Sequence, residues 1–265
     1  MELLEGRISI EAALQARRRR FEVIFIREGL HAEKLGSLLA AAEQQAIPIK
    51  TLSAAELDAM AKGVTHGGVI ARCSAKRQPT FEELYQQVKG MSRRPFLLLL
   101  EGVDDAQNLG FILRTAEACG VTAVLLKKHL WDFDTGAVSR ASSGAYERLP
   151  MVMIDEVEKS LPRLQALGLK LYGCIANAQK TIHEIDLQQP VILALGGEKR
   201  GLSAAVRKQC DRFVKIPMLS PIGSLSLSHA AAIAMGEVLR QRLTPRDVLS
   251  PSLDDAANER PAAQD

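Results

Sequence analysis

"FLLLLEGVDDAQNLGFILRTAEACGVTAVLLK", residues 96–127, sets two apolar runs on either side of a segment with a different period. "FLLLL" and "AVLL" show no polar alternation, which is the pattern of strands covered on both faces. Between them Leu109, Ile112, Leu113 and Ala116 recur at i, i+3, i+4 and i+7, the stripe of an amphipathic helix. A strand, a crossover helix and a second strand imply parallel pairing, so the stretch predicts an α/β domain with helices on both faces of a parallel sheet.

The alternation continues downstream. It runs through a helix near 134–142, "MVMI" (151–154), a helix near 155–167, "LKLYGCI" (169–175), "PVILALGG" (190–197), "RFVKIPM" (212–218) and a long helix from about 224 to 242. Upstream, a helix on Ile10, Ala13 and Leu14 that Ser9 can cap precedes the strand "FEVIFI" (21–26). A helix over 32–45, the strand "IPIKTL" (47–52), a capping box at Ser53 and Glu56 and the strand "GVIARC" (68–73) complete a separate small α/β unit. "AKRQPT" is charged, contains proline and lacks apolar periodicity, so it reads as a linker. The expected organisation is a small domain over 1–74, a linker over 75–80, a larger domain over 81–243 and a disordered tail over 244–265.

With 265 residues, 47% of them hydrophobic, the chain can bury two moderate cores. No stretch has the roughly 18–20 unbroken apolar residues of a membrane span, and "MELLEGRISIEAALQ" lacks the apolar centre of a secretion signal, so a soluble cytoplasmic protein is expected. Cys73, Cys119, Cys174 and Cys210 lie far apart with no C-x-x-C, which argues against a metal site or a disulfide framework. Net charge is +3; five acids against two arginines leave the tail at −3 and the body at +6, a balance that suits an anionic partner such as RNA. Aromatic residues make up only 4%, too few for a base-stacking platform.

Ligands of parallel sheets bind beyond the carboxyl ends of strands, and three loops fall there. In the first, Asn108 can cap the following helix and Arg114 lies off its apolar stripe, although a solvated arginine on an ordinary helix accounts for the pattern equally well. "LALGGEKRGLS" (193–203) has a glycine at either end of a G-x-x-x-x-G spacing, but Leu202 stands where a phosphate loop needs lysine, which excludes a nucleotide triphosphatase. Its glycines let backbone groups approach a ligand, and Glu198 sits in the same turn. "IPMLSPIGSLSLSHAAA" (216–232) supplies hydroxyls at Ser224, Ser226 and Ser228, otherwise readable as helix caps. Arg17, Arg18, Arg19 and Arg20, between a helix and a strand, and His66, in the glycine-bearing loop "THGG", are candidate RNA contacts, though each is also ordinary at a solvated surface.

In this order, "DDAQNLGFILRTAEACGV", "LALGGEKRGLS" and "IPMLSPIGSLSLSHAAA" resemble the three motifs of the SpoU/TrmH family of ribose 2′-O-methyltransferases, within the knotted SPOUT superfamily. "EGRISIEAAL", "FEVIFI" and "THGGVIA" resemble the substrate-binding domain of the ribosomal-RNA branch, whose fold is similar to a kink-turn-binding ribosomal protein. The resemblance implies S-adenosylmethionine as methyl donor, a deep trefoil knot formed by the loops of motifs two and three, and a homodimer whose active sites draw on both subunits. It implies that Leu195, Gly196, Gly197, Gly201, Ile216, Met218, Leu225 and Ser226 surround the cofactor, and that Asn108, Arg114, Glu198 and Ser224 form the catalytic surroundings. No metal and no membrane enter the reaction so implied.

Two positions depart from the family pattern: Ser226 stands where asparagine is usual, and Ala106 where proline is common. A guanidinium stays protonated, so Arg114 suits a phosphate grip or stabilisation of developing alkoxide charge better than the role of base. Ribosomal RNA is the expected substrate. A transfer-RNA ribose methyltransferase and a non-catalytic RNA-binding or ribosome-assembly protein on the same fold are the alternatives.

Overall fold

The computed structural model describes residues 1–31, 35–63, 66–103, 105–127, 133–219 and 225–243. The expected tail over 244–265 lies outside the described residues.

The first sheet has the order β1-β4-β2-β3. It consists of β1 (Glu2–Glu5), β2 (Phe21–Arg27), β3 (Ile49–Leu52) and β4 (Val69–Cys73). β4 runs antiparallel to both β1 and β2, while β2 and β3 are parallel. Helix α1 (Arg7–Ala16) begins at Gly6, whose φ of 91° favours glycine; Ser9 is buried inside the helix and does not cap it. The capping box of Ser53 and Glu56 starts α3 (Ala54–Met60), and α2 (Gly36–Gln44) closes one face with Leu38 and Ala42.

The second sheet is parallel throughout, with the order β7-β6-β5-β10-β8-β11-β9. Its strands are β5 (Phe96–Leu100), β6 (Ala123–Lys127), β7 (Met151–Ile154), β8 (Lys170–Cys174), β9 (Lys180–Thr181), β10 (Val191–Leu195) and β11 (Arg212–Lys215). The central strands β5 and β10 are buried at every residue, as their unbroken apolar runs require. Helices α5 (Ala106–Ala118) and α10 (Leu227–Arg242) pack on one face; α4 (Phe81–Lys89) and α8 (Val157–Gln165) cover the other. The short helices α6 (Thr135–Ala141), α7 (Ala145–Arg148) and α9 (Ala204–Gln209) complete the layer.

The two sheets are docked through charges and close backbone contact. Arg19, 1% exposed at its side chain, donates to both carboxylate oxygens of the equally buried Glu147 at 2.7 and 3.1 Å, and to Glu2 at 2.6 Å. Burial alone would lower this guanidinium, but the bonds to Glu147 and Glu2 outweigh it and hold it above its ordinary value. Arg140 pairs with the buried Glu5 at 2.7 Å, and Lys76 donates to the carbonyl oxygens of Tyr146 and Leu149. Helix α1 lies so close to the start of α7 that a Cβ on Gly144 would stand 2.6 Å from that of Ala12.

Candidate active site

Beyond the carboxyl ends of β8, β10 and β11 lies a cavity of about 300 Å³. Leu195, Gly196, Gly197, Glu198 and Gly201 line it from one loop, Ile216 and Met218 from a second, and Leu225 from the approach to α10. Cys174, Leu227 and Ala230 are further parts of the wall. Thus the residues of the second and third motifs, separated in the chain by α9 and β11, meet in one place.

Gly196 and Gly197 have no room for side chains. A Cβ on Gly196 would stand 2.1 Å from the Gly201 carbonyl carbon, and one on Gly197 would stand 2.2 Å from the Gly102 oxygen. Gly197 and Gly201 form an antiparallel bridge, with the Gly201 N–H donating to Gly197 O at 2.8 Å, and Gly201 takes φ +60°. The loop is fastened from below by Glu101, which is buried at the end of β5 and accepts from Ser203 N–H at 2.7 Å and Ser203 Oγ at 2.8 Å. Lys127, at the end of β6, pairs with Glu101 at 2.5 Å and donates to Ser203 Oγ at 3.0 Å, so the carboxylate is neutralised where it is buried.

The remaining polar groups connect three elements. Glu198 accepts from Leu227 N–H at 3.1 Å. Ser228 Oγ donates to Asn108 Oδ1 at 3.0 Å, which ties α10 to the first turn of α5. Asp105, not Asn108, caps α5, because its carboxylate accepts the Asn108 N–H at 2.7 Å; Asn108 occupies the first turn and also donates its side-chain amide to Asp105 at 2.6 Å. Ser226 caps α10 by accepting the His229 N–H, contacts Ser228 Oγ at 3.3 Å and is hydrogen-bonded to the His229 ring at Nδ1. It is not in the cavity wall. The sequence marks Ser228 only as one of three loop hydroxyls and gives no sign of His229; the packing of α10 on α5 joins Ser228 to Asn108, and Ser226 holds His229 beside it.

Burial pushes the thiol of Cys174, the cysteine of the cavity wall, up to about 12, so it offers no thiolate nucleophile there.

Arg114 stands elsewhere than expected. It is exposed on α5, outside the cavity lining, and among the described residues its guanidinium has no hydrogen-bond or ion-pair partner. Its position off the buried stripe of Leu109, Ile112, Leu113 and Ala116 turns it outward, alongside the exposed Phe111. Ser224 lies outside the described residues, as do 220–224 of the motif-three loop through which the implied knot would pass. Two expected RNA contacts are corrected. Arg19 is consumed by the buried pair with Glu147, and His66 is buried, with Nε2 on Asp58 at 2.8 Å and Nδ1 accepting the Gly68 N–H at 3.2 Å. Arg17 and Arg20 are exposed, and Arg18 is half-buried.

The SpoU rRNA Methylase family matches residues 95–236, and the RNA 2'-O ribose methyltransferase substrate binding family matches 3–79. The chain is 34% identical over 249 residues to the 23S rRNA (guanosine-2'-O-)-methyltransferase RlmB of Pseudomonas putida, covering 93% of this chain and 99% of the relative. Its identity to the protein of the same name from Escherichia coli (strain K12) is 31%, covering 91% and 99%. A crystal structure described as RNA 2'-O ribose methyltransferase superposes with a TM-score of 0.72 at 29% identity, covering 91% of this chain and 89% of the other. The SpoU methyltransferase AviRb from Streptomyces viridochromogenes, solved with the cofactor AdoMet, shares the fold at 23% identity and a TM-score of 0.72, covering 91% and 90%.

Proposed function

Because this chain belongs to the SpoU rRNA methylase family, we propose that it transfers a methyl group from S-adenosylmethionine to a ribose 2′-hydroxyl of ribosomal RNA, at a guanosine of 23S rRNA. The observation that carries this reading is the single cavity in which the loops of motifs two and three meet, tied to α5 through Ser228 and Asn108.

The residues present fit the donor. Leu195, Ile216, Met218, Leu225 and Leu227 offer an apolar wall for a purine, and the side-chain-free Gly196 and Gly197 expose peptide groups at its edge. Glu198 is the carboxylate of a wall that also holds Arg200 and Arg207, and its bond to Leu227 N–H joins the two loops. When bound, S-adenosylmethionine supplies a methyl group already activated by the positive sulfur. The protein's task is therefore alignment of the attacking hydroxyl and removal of its proton. Asn108, held by Asp105 and Ser228, orients the reacting ribose. His229, with Nδ1–H donating to Ser226 Oγ, presents Nε2 at the same end of α10 as the acceptor of the proton that a guanidinium cannot take.

Arg114 grips a backbone phosphate or the developing alkoxide in the active site of a second copy. This follows from its exposure outside its own cavity and from the face it shares: Phe111 on α5 and Ile233 on α10 are 45% and 41% exposed, beside the open flank of Gly236. A homodimer built on α5 and α10 covers these apolar side chains and carries Arg114 towards the partner.

Incubating the protein with labelled S-adenosylmethionine and 23S rRNA transcript, then mapping the label, tests the reading. Incorporation at a ribose 2′-oxygen is expected; cofactor binding by calorimetry without incorporation into any RNA would instead favour a non-catalytic RNA-binding role. Arg114→Ala should abolish turnover, with Arg114→Lys recovering part of it only if charge suffices without the planar fork.

A further inference from the structure

The four consecutive arginines that follow α1 diverge, because Arg17 takes the left-handed conformation (φ 52°) as the helix ends. Arg19 enters the buried pair with Glu147, and Arg17 and Arg20 face solvent. Arg18 turns into a second hollow, of about 220 Å³, at the seam where the linker and α4 meet the loop before β7. Arg77, Pro79, Glu83, Gln87 and Pro150 complete its wall.

The charge arrangement in this hollow is unusual. The Arg77 N–H donates to Arg18 O at 2.8 Å, which brings two arginines of distant sequence position together. Their guanidinium groups act on each other as like charges: burial, and then Arg77, hold Arg18 below its ordinary value, although it remains a cation. Glu83 neutralises Arg77 in part and also caps α4 through Thr80. No such group answers Arg18. Its Nη1 is buried and has no hydrogen-bond partner among the described residues. A desolvated charged donor left unpaired is costly, and water would satisfy its hydrogen bond but not the repulsion between the two cations. A tetrahedral oxyanion answers both needs, with two oxygens facing two guanidinium forks.

We propose that this hollow is a phosphate-binding site formed by Arg18 and Arg77, with the amide of Gln87 as a further donor, and that its ligand is a phosphodiester of the RNA substrate gripped at the junction of the two sheets. The identity of the phosphate's carrier rests on the RNA reading above; the site itself does not. Held there, the RNA backbone spans the small domain and the larger one, so a single contact fixes the register between them.

The test uses the full chain and three variants: Arg18→Gln, Arg77→Gln and Gln87→Glu. Gln87 is exposed on α4, so its replacement keeps the fold while adding a carboxylate to the hollow. Filter binding of 23S rRNA transcript at a series of potassium chloride concentrations reads the number of phosphates engaged. Each variant should lower the slope of log affinity against log salt by about 1, which removes roughly a fourfold change between 50 and 200 mM. In parallel, thermal melts with inorganic phosphate read the bare anion, and calorimetry with S-adenosylmethionine reads the other cavity. Phosphate stabilisation that the variants lose, with an unchanged RNA slope, would overturn RNA as the source and leave a site for free phosphate. An unchanged slope together with no phosphate stabilisation would overturn the site altogether. Failure of S-adenosylmethionine to bind would instead count against the methyl-transfer reading, leaving the phosphate measurements intact.

Discussion

At the scale of single residues, Ser226 and His229 carry the clearest consequence. The family pattern has asparagine at position 226, and a serine there is too short to offer an amide's paired donor and acceptor. The structure gives the hydroxyl a different task, capping α10 and bonding the His229 ring, so the polar function at this point is divided between two side chains. His229→Gln keeps a side chain capable of hydrogen bonding but cannot take up a proton. It should lower kcat by on the order of 10²-fold and leave S-adenosylmethionine affinity unchanged. A variant with full kcat would return the proton to the RNA phosphate or to solvent.

At the scale of elements, the loop after β10 and the end of α10 show how close packing and buried charge hold a site in place. Gly197→Ala sets a methyl group against the Gly102 carbonyl, which is backbone and cannot swing aside. The loop must shift, at a cost of about 1–3 kcal/mol, and calorimetric affinity for S-adenosylmethionine should fall accordingly. Equal affinity in wild type and variant would mean that the loop does not hold the cofactor. In α10, the Glu237 carboxylate is buried and is held down to about 2 by Arg240 first, with Gln241 and His183 adding to it. The unfolded chain, with a carboxyl near 4.5, therefore binds more protons than the folded one between these values. The stabilisation is complete above about pH 4.5 and is lost as pH falls towards 2. Glu237→Gln should melt below wild type at neutral pH, and the gap should narrow steadily as thermal melts are taken from pH 4.5 down to 3.

In the whole molecule, the four-stranded sheet is fastened to the seven-stranded one by a buried ion pair. Removing one partner leaves the other charged and desolvated, so Arg19→Met should cost about 3–5 kcal/mol in urea denaturation. The double change Arg19→Met with Glu147→Leu should recover most of that loss, since it removes both buried charges and leaves only the partly exposed Glu2 without its arginine. Singles that cost less than about 1 kcal/mol would show that the docking rests on the other contacts, such as Glu5 with Arg140. Among the described residues no helix is long and apolar enough to cross a membrane.

Much of this fold follows from local periodicity. Unbroken apolar runs specify central strands, the stripe of Leu109 to Ala116 specifies α5, and the box of Ser53 and Glu56 specifies a helix start, because each depends on neighbours a few residues away. The short β1 and β9 and the single-turn α7 escaped, since so few residues carry no period. Packing in three dimensions selects which of four adjacent arginines is buried, which faces solvent and which enters a hollow, because that depends on Glu147 and Arg77, far along the chain. It likewise decided that Asn108 meets Ser228 and that Arg114 leaves its own cavity: a helix's apolar face shows what it buries, while the partners of its polar face are set by whatever the fold brings alongside.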